Sequence, residues 1–115
     1  MSDCLFCRII RREIPATIVH EDDQILAFKD IFPQAPVHLL IVPKRHCDGL
    51  NDLDDEVLAV VPRILQVAAK LATDQGVSES GWRVLANCGE HAGQTVFHLH
   101  FHLLGGKVLG GKLCQ

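Results

Sequence analysis

Apolar and polar side chains alternate along the segment from Val96 to Leu104. Successive side chains of a β-strand point to opposite faces, so this alternation predicts a strand with one apolar face and one polar face. The apolar positions are Phe97, Leu99, Phe101 and Leu103, and the positions between them are His98, His100 and His102. The pattern therefore predicts a strand that buries one face and carries a row of imidazoles on the other.

Apolar residues spaced three or four positions apart predict two helices. The first contains Leu5, Phe6, Ile9 and Ile10 and ends before Pro15, because the residue preceding a proline disfavours helical backbone. The second follows the N-cap Asp54 and ends near Gly76. Its apolar stripe consists of Val57, Val61, Ile64, Ala68 and Leu71. Since Pro62 lies inside that stripe, we expect this long helix either to kink or to divide into two shorter ones.

Four further segments have the composition of strands: 18–20, 25–29, 37–42 and 82–87. An acidic turn joins the first two as a hairpin, and a loop with two prolines precedes the third. The order of elements predicts an α+β fold, in which the short N-terminal helix and one long helix pack on one face of a five-stranded antiparallel sheet. A chain of 115 residues is expected to form one domain, spanning 1–115.

Composition and charge exclude several classes of protein. Apolar residues make up 48% of the chain and charged residues 22%, which is typical of a globular protein and argues against disorder. A formal charge of -3 lacks the positive excess of proteins that bind nucleic acid non-specifically, so no nucleic-acid partner is expected. No segment approaches the roughly 18 to 20 apolar residues of a membrane span, and the first residues lack a signal-peptide layout. We therefore expect a cytoplasmic protein without membrane contacts.

The chain contains five cysteines, an odd number that disfavours a disulfide framework. Cys4 and Cys7 have the C-x-x-C spacing of a metal or redox element. The other three, Cys47, Cys88 and Cys114, are interpreted as small apolar fillers or exposed thiols.

The run His98-Leu99-His100-Phe101-His102 resembles the signature of the histidine triad superfamily. Four other segments resemble its Hint branch of nucleotide-binding phosphoramidases: Arg12 to Pro15, Ala27 to Ile31, Gln34 to His38 and Gly93 to His98. The resemblance implies a HIT-like fold, with five antiparallel strands and two helices. It also implies a homodimer whose two sheets join as a continuous ten-stranded sheet.

The histidines suggest covalent catalysis at phosphorus, because a neutral imidazole is a good nucleophile and can leave again from the adduct. His100 is the candidate nucleophile, and by resemblance it occupies the position that takes a nucleoside monophosphate onto its ring. His102 and His38 would orient the phosphate and help to move protons. His98 completes this catalytic group.

The resemblance also suggests a nucleotide site. Asp30 would bind the ribose diol, although by itself an Asp before a proline-containing loop is as easily a turn cap. Phe6, Ile9, Phe28 and Ile31 are the expected walls of the base pocket, although such residues are often simple core. The expected phosphate-binding residues, with His100 and His102, are Asn87, Gly93, Gln94 and Thr95.

A closed zinc site needs two ligands besides Cys4 and Cys7. Relatives with a matching C-x-x-C implicate a histidine after the Pro-Lys segment, here His46, and the first triad histidine, His98. Zinc in this position would be structural, since His100 must remain free to attack. The alternative is two buried thiols beside a surface His46.

These features together predict a purine nucleoside 5'-phosphoramidate hydrolase that works through a nucleotidyl-His100 intermediate. It would release AMP or GMP and an amine and use no organic cofactor. Two alternatives remain open: a nucleotide-binding module that engages a protein partner, and a dinucleoside polyphosphate hydrolase. The chain has no tryptophan near its C-terminus, unlike animal relatives, so the preferred leaving group cannot be carried over from them.

Overall fold

The computed structural model describes residues 4–111, so the prediction for Cys114 lies outside the described residues. Five strands, two α-helices and two 3-10 helices follow one another along this range. The helices are α1 (Leu5–Ile10), the 3-10 helix Leu50–Asp52, α2 (Asp55–Asp74) and the 3-10 helix Glu90–Ala92, and the strands are β1 (Ile18–Glu21), β2 (Ile25–Lys29), β3 (Val37–Pro43), β4 (Trp82–Leu85) and β5 (Phe101–Gly105).

The strands form one antiparallel sheet in the order β1-β2-β3-β5-β4. β5 therefore lies between β3 and β4, while β1 and β4 form the two edges. In the register of β3 with β5, His38 lies opposite Leu104, and Leu40 lies opposite His102. The predicted five-stranded antiparallel sheet with one short and one long helix is confirmed.

The two helices pack on opposite faces of the sheet, so the prediction that they share one face is wrong. Helix α2 covers the face that carries Ile25, Ala27, Leu39 and Ile41. Helix α1 places Phe6 and Ile9 against the other face, which carries Leu26, Phe28, Leu40 and Val42. The reason is that β2 and β3 are apolar on both sides, so each side needs its own cover.

Helix α2 begins as predicted. The Asp54 side chain accepts a hydrogen bond of 2.8 Å from the backbone N–H of Val57, which satisfies one of the free donors of the first turn. The helix continues through Pro62, so of the two outcomes left open the division into two helices does not occur. Buried residues before and after the proline, Val57 and Ile64 among them, hold both halves against the sheet. Among the described residues, no helix is long and apolar enough to cross a membrane.

The histidine segment differs from the prediction at its start, because β5 begins at Phe101 and not at Val96. The backbone N–H of Leu99 donates to the carbonyl of Cys47, at 2.7 Å, and so leaves the ladder with β3. His98 and His100 therefore precede the strand, and only His102 belongs to it. Strand β4 also ends earlier than predicted, at Leu85, whereas β1 and β3 each extend one residue further.

Candidate functional site

A cavity of about 330 Å³ lies on the α1 face of the sheet, where α1, the end of β2 and the histidine segment meet. Its lining is apolar on one side and carries imidazole, carboxylate and hydroxyl groups elsewhere. Eight of the residues singled out from the sequence line it together: Phe6, Ile9, Phe28, Asp30, Ile31, Thr95, His100 and His102. The structure therefore brings most of the expected nucleotide-binding residues to one place.

His100 presents a free ring nitrogen to this cavity. Its Nδ1 lies 2.8 Å from the backbone carbonyl of His98 and must carry the proton, because a carbonyl oxygen only accepts. Nε2 then keeps its lone pair. Burial lowers the pKa of His100, and the edge-on ring of Phe6, 5.0 Å away between centroids, contributes to that burial. His100 is thus a neutral imidazole with a nucleophilic nitrogen.

His38 and His102 form a hydrogen-bonded pair in which His38 is the donor. The backbone N–H of Gln34 donates to Nδ1 of His38 at 3.0 Å, so the His38 proton lies on Nε2. This Nε2 lies 2.9 Å from Nδ1 of His102, which accepts and therefore keeps its own proton on Nε2. Nε2 of His102 is buried and has no hydrogen-bond partner among residues 4–111. An unsatisfied buried donor is expected to find its partner in a ligand.

Asp30 caps a turn, which is one of the two roles that the sequence left open, and it also lines the cavity. Oδ1 accepts the backbone N–H of Phe32 at 2.8 Å, as a turn-capping Asp does. Oδ2 lies 3.3 Å from Nε2 of His38. The carboxylate also lines the cavity, so it holds the turn and remains close to the space that a ribose would occupy.

The loop before the histidine segment serves the site less directly than expected. The Gln94 side chain is buried and already bonded: its oxygen accepts from Gly89 N–H at 2.8 Å, and its nitrogen donates to Asp48 O at 2.7 Å. Its amide is therefore committed to holding the loop. Gly93 has a φ of +91°, which suits glycine, and its N–H donates to Glu90 O. Of this loop, Thr95 reaches the cavity.

Asn87 lines a second cavity, of about 550 Å³, on the other side of His102. Arg83 and Lys107 also line it, together with His38. His102 lines both cavities, whereas His38 lines the second one, so open space adjoins the ring of His102 on both sides.

A cluster of possible metal ligands lies beside the first cavity, where α1 meets the histidine segment. Its ligand atoms all lie within 4.8 Å of one another and belong to Cys4, Cys7, His46 and His98. Nδ1 of His98 is 3.3 Å from Cys4 Sγ and 3.5 Å from Cys7 Sγ, and Nδ1 of His46 is 3.4 Å from Cys7 Sγ. The structure therefore brings together all four residues expected to bind zinc.

The outer nitrogens of both histidines carry their protons. Nε2 of His98 donates to Pro43 O, and Nε2 of His46 donates to the Asp48 carboxylate, each at 2.8 Å. The Nδ1 lone pairs consequently face the two sulfurs, which is the arrangement of metal-binding imidazoles with supporting hydrogen bonds. The donor set fits a tetrahedral zinc ion.

A second group of possible ligands, Asp30, His38 and His102, does not pass the same test. The Gln34 N–H occupies Nδ1 of His38, so a metal at Nε2 would have to displace the proton that His102 accepts. We interpret this group as a hydrogen-bonded relay.

The supporting groups escaped the sequence analysis. The tautomers of His38, His98 and His46 are fixed by the Gln34 N–H, the Pro43 carbonyl and the Asp48 carboxylate, respectively. The first two are backbone groups, which leave no residue-type signal in a sequence. The Phe32 ring at the cavity was also missed, although its position next to Ile31 could have suggested it.

Comparisons with known proteins agree with this geometry. The family model described as "Scavenger mRNA decapping enzyme C-term binding" matches residues 3–112. Purine nucleoside phosphoramidase of Escherichia coli K12 is 47% identical over 114 residues, which cover 99% of this chain and 96% of that protein. A solved HIT family hydrolase from Clostridium thermocellum is 48% identical, with a TM-score of 0.95 and 98% of each chain covered. Another from Legionella pneumophila is 51% identical, with a TM-score of 0.90 and 94% and 96% of the two chains covered.

The burial of His102 predicts a dependence of stability on pH. Burial, with nearby His100 and His38, lowers the pKa of His102 from 6.5 to about 4. Between these pH values the unfolded chain binds a proton that the folded chain does not, so the free energy of unfolding falls as the pH falls. The full effect of this one group is roughly 3 kcal/mol. In urea unfolding followed between pH 7 and pH 4, His102→Asn should lose less stability than the wild type; parallel curves would contradict the assignment.

Proposed function

Because the chain belongs to the histidine triad family, we propose that it hydrolyses purine nucleoside 5'-phosphoramidates and releases AMP or GMP and an amine. One observation carries the proposal: the free Nε2 of His100 and the unsatisfied Nε2–H of His102 border the same cavity. A nucleophile and a proton donor at one phosphate are what P–N cleavage through a covalent intermediate requires. The phosphoramidase relative from Escherichia coli supports the same chemistry.

In the proposed reaction, Nε2 of His100 attacks phosphorus as the bond from phosphorus to the amine breaks. The electron pair of that bond passes to the leaving nitrogen, which takes up a proton. The Nε2–H of His102 supplies it, and His38 and its Gln34 contact hold the ring of His102 in the required tautomer. Water then attacks phosphorus as the bond from phosphorus to His100 breaks, and one proton of the water returns to Nε2 of His102. The nucleoside monophosphate leaves, and His100 has its lone pair again.

We assign each part of the nucleotide to a part of the cavity lining. The apolar walls Phe6, Ile9 and Phe28 suit a purine base, and Asp30 suits the ribose hydroxyls. Thr95 supplies a hydroxyl close to the phosphate position. We place Gln94 and Gly93 in support of this loop, since their groups are used within it. We place the leaving amine in the second cavity, which Asn87 and His102 line.

For catalysis, we expect His100→Ala to abolish amine release from adenosine 5'-phosphoramidate, with a rate loss of several powers of ten. AMP affinity should remain within about an order of magnitude, because binding is shared among many groups. Single-turnover kinetics measure the first effect, and equilibrium titration measures the second. His91→Ala is the matched control, since this exposed histidine lies in the 3-10 helix outside the cavity lining.

The intermediate itself is tested by mass spectrometry of the quenched wild-type reaction, which should show a chain heavier by one nucleotidyl group. Turnover by His100→Ala at a rate comparable to the wild type would rule out this mechanism. A protein that only binds nucleotides would instead show AMP affinity with no turnover in the wild type.

We further propose that the Cys4, Cys7, His46 and His98 cluster holds a structural zinc ion. The two inward-facing Nδ1 atoms and the short distances between ligand atoms support it. When bound, the ion would anchor the start of α1 to the histidine segment. No catalytic step is assigned to it, because His100 does not belong to the ligand set.

For zinc, we expect roughly one ion per chain in protein expressed without a His tag, lost when Cys4 and Cys7 are both changed to serine. Elemental analysis measures the metal, and thermal unfolding with and without a chelator measures its contribution to stability. Cys88→Ser is the matched control, since Cys88 is a free thiol outside the cluster. A wild-type protein without zinc after metal-replete expression would contradict the assignment.

We also propose that the chain forms a cytoplasmic homodimer through β4. This strand is an edge of the sheet, and pairing with a second copy would extend the sheet and cover the edge. The free thiols at Cys4, Cys7, Cys47 and Cys88 suit a reducing compartment.

For assembly, sedimentation at low micromolar concentration should show a dimer, because edge pairing satisfies the open backbone groups of β4. A dilution series that shows monomer throughout this range would contradict the dimer without affecting the proposed chemistry.

A further inference from the structure

Three exposed apolar side chains surround the opening of the nucleotide cavity. Phe32 is 75% exposed, Ile31 is 81% exposed and Leu5 is 42% exposed, and all three belong to the cavity lining. The other aromatic residues of the same cavity, Phe6 and Phe28, are buried. The cavity therefore has a buried aromatic floor and an open apolar rim, of which Phe32 is the largest member.

The backbone of Phe32 is fixed even though its ring is open to solvent. Its N–H donates to Oδ1 of Asp30 at 2.8 Å, and its carbonyl accepts from the Gln34 side chain at 3.2 Å. Asp30 is itself tied to β3, because its N–H donates to the carbonyl of His38 at 3.0 Å. The turn therefore holds the Phe32 backbone in place beside the carboxylate assigned to the ribose.

The exposed ring of Phe32 beside Asp30 suits a nucleotide base as its partner. Phe32 follows Asp30 by two residues and lines the same cavity, so a base attached to a ribose at Asp30 has the Phe32 ring among its apolar neighbours. Phe6 and Phe28 already pack edge-on at 5.4 Å between centroids and close the inner side. A flat base entering between floor and rim would cover the exposed ring of Phe32, and burial of that apolar surface is favourable.

We propose that Phe32 stacks on the outer face of the bound purine base and determines the preference for purines over pyrimidines. The inference depends on the proposed nucleotide site, and it assigns Phe32 to substrate binding alone. A purine offers a larger face than a pyrimidine, so an aromatic partner favours it more. Phe32 makes no contribution to the attack at phosphorus in this scheme, because that step belongs to His100.

The test compares Phe32→Ser, Phe32→Leu and Phe32→Trp with the wild type. For Phe32→Ser we expect KM for adenosine 5'-phosphoramidate and Kd for AMP to rise about tenfold, as base–aromatic stacking implies, with kcat within about twofold. Phe32→Leu should be intermediate and Phe32→Trp should retain wild-type affinity. The rise in KM should be smaller for uridine 5'-phosphoramidate, so purine preference should fall.

Phe32→Trp adds a spectroscopic measurement that a structural role would not affect. AMP should quench the emission of this variant more than that of the wild type, whose single tryptophan is Trp82 in β4. The matched control is Phe97→Leu, which removes an aromatic ring that is 52% exposed and lies outside the cavity lining. This variant should bind AMP as the wild type does.

Three results would overturn the inference: unchanged Kd in Phe32→Ser, equal losses for adenosine and uridine substrates, or emission of Phe32→Trp that AMP does not alter. Failure of the proposed function gives a different pattern. If the wild type binds AMP but does not hydrolyse the phosphoramidate, the proposed activity fails, and the binding and emission measurements still decide the role of Phe32. If the wild type does not bind AMP, both are wrong.

Discussion

The hydrogen bond from Nδ1 of His100 to the carbonyl of His98 is the interaction on which the site depends. At 2.8 Å and in a buried setting, it fixes the ring orientation and leaves the Nε2 lone pair directed into the cavity. The carbonyl is itself held in place, because the His98 side chain is anchored by Pro43 and by the two thiols of the cluster. A residue with no assigned contact to substrate thereby sets the geometry of the nucleophile.

The cavity exists because both faces of the central strands are apolar. Helix α2 covers one face and builds the larger core, whereas the six-residue α1 covers only part of the other. The part that α1 leaves uncovered contains His100, His102 and Asp30. A longer first helix would fill this space with side chains, so the short α1 keeps the cavity open.

Two neighbouring groups of imidazoles have opposite proton arrangements. In the cysteine cluster, the outer nitrogens of His46 and His98 donate to protein oxygens, so lone pairs point inward and suit a cation. In the relay, the Gln34 N–H donates to the outer nitrogen of His38, so the His38 proton points towards His102 and the His102 proton lies on its unpartnered Nε2. Histidines therefore suit a cation in the cysteine cluster and an anion in the relay. The difference comes from the hydrogen bond that each ring makes through its other nitrogen.

The sequence determined the elements and most of the site, since both depend on local spacing. Alternation and helical periodicity predicted the strands and helices, and the Asp54 cap set the start of α2. The histidine motif marked His100 and His102, which line the cavity, and His98, which belongs to the cysteine cluster. What the tertiary structure alone decided was which face α1 covers, where β5 begins and what Gln94 does. The face follows from contacts between residues distant in the chain, the start of β5 from the bond between Leu99 N–H and Cys47 O, and the role of Gln94 from partners at Gly89 and Asp48. Several of these partners are backbone groups, which are the same at nearly every position of a sequence. Only the folded chain therefore shows which backbone group lies within hydrogen-bonding distance.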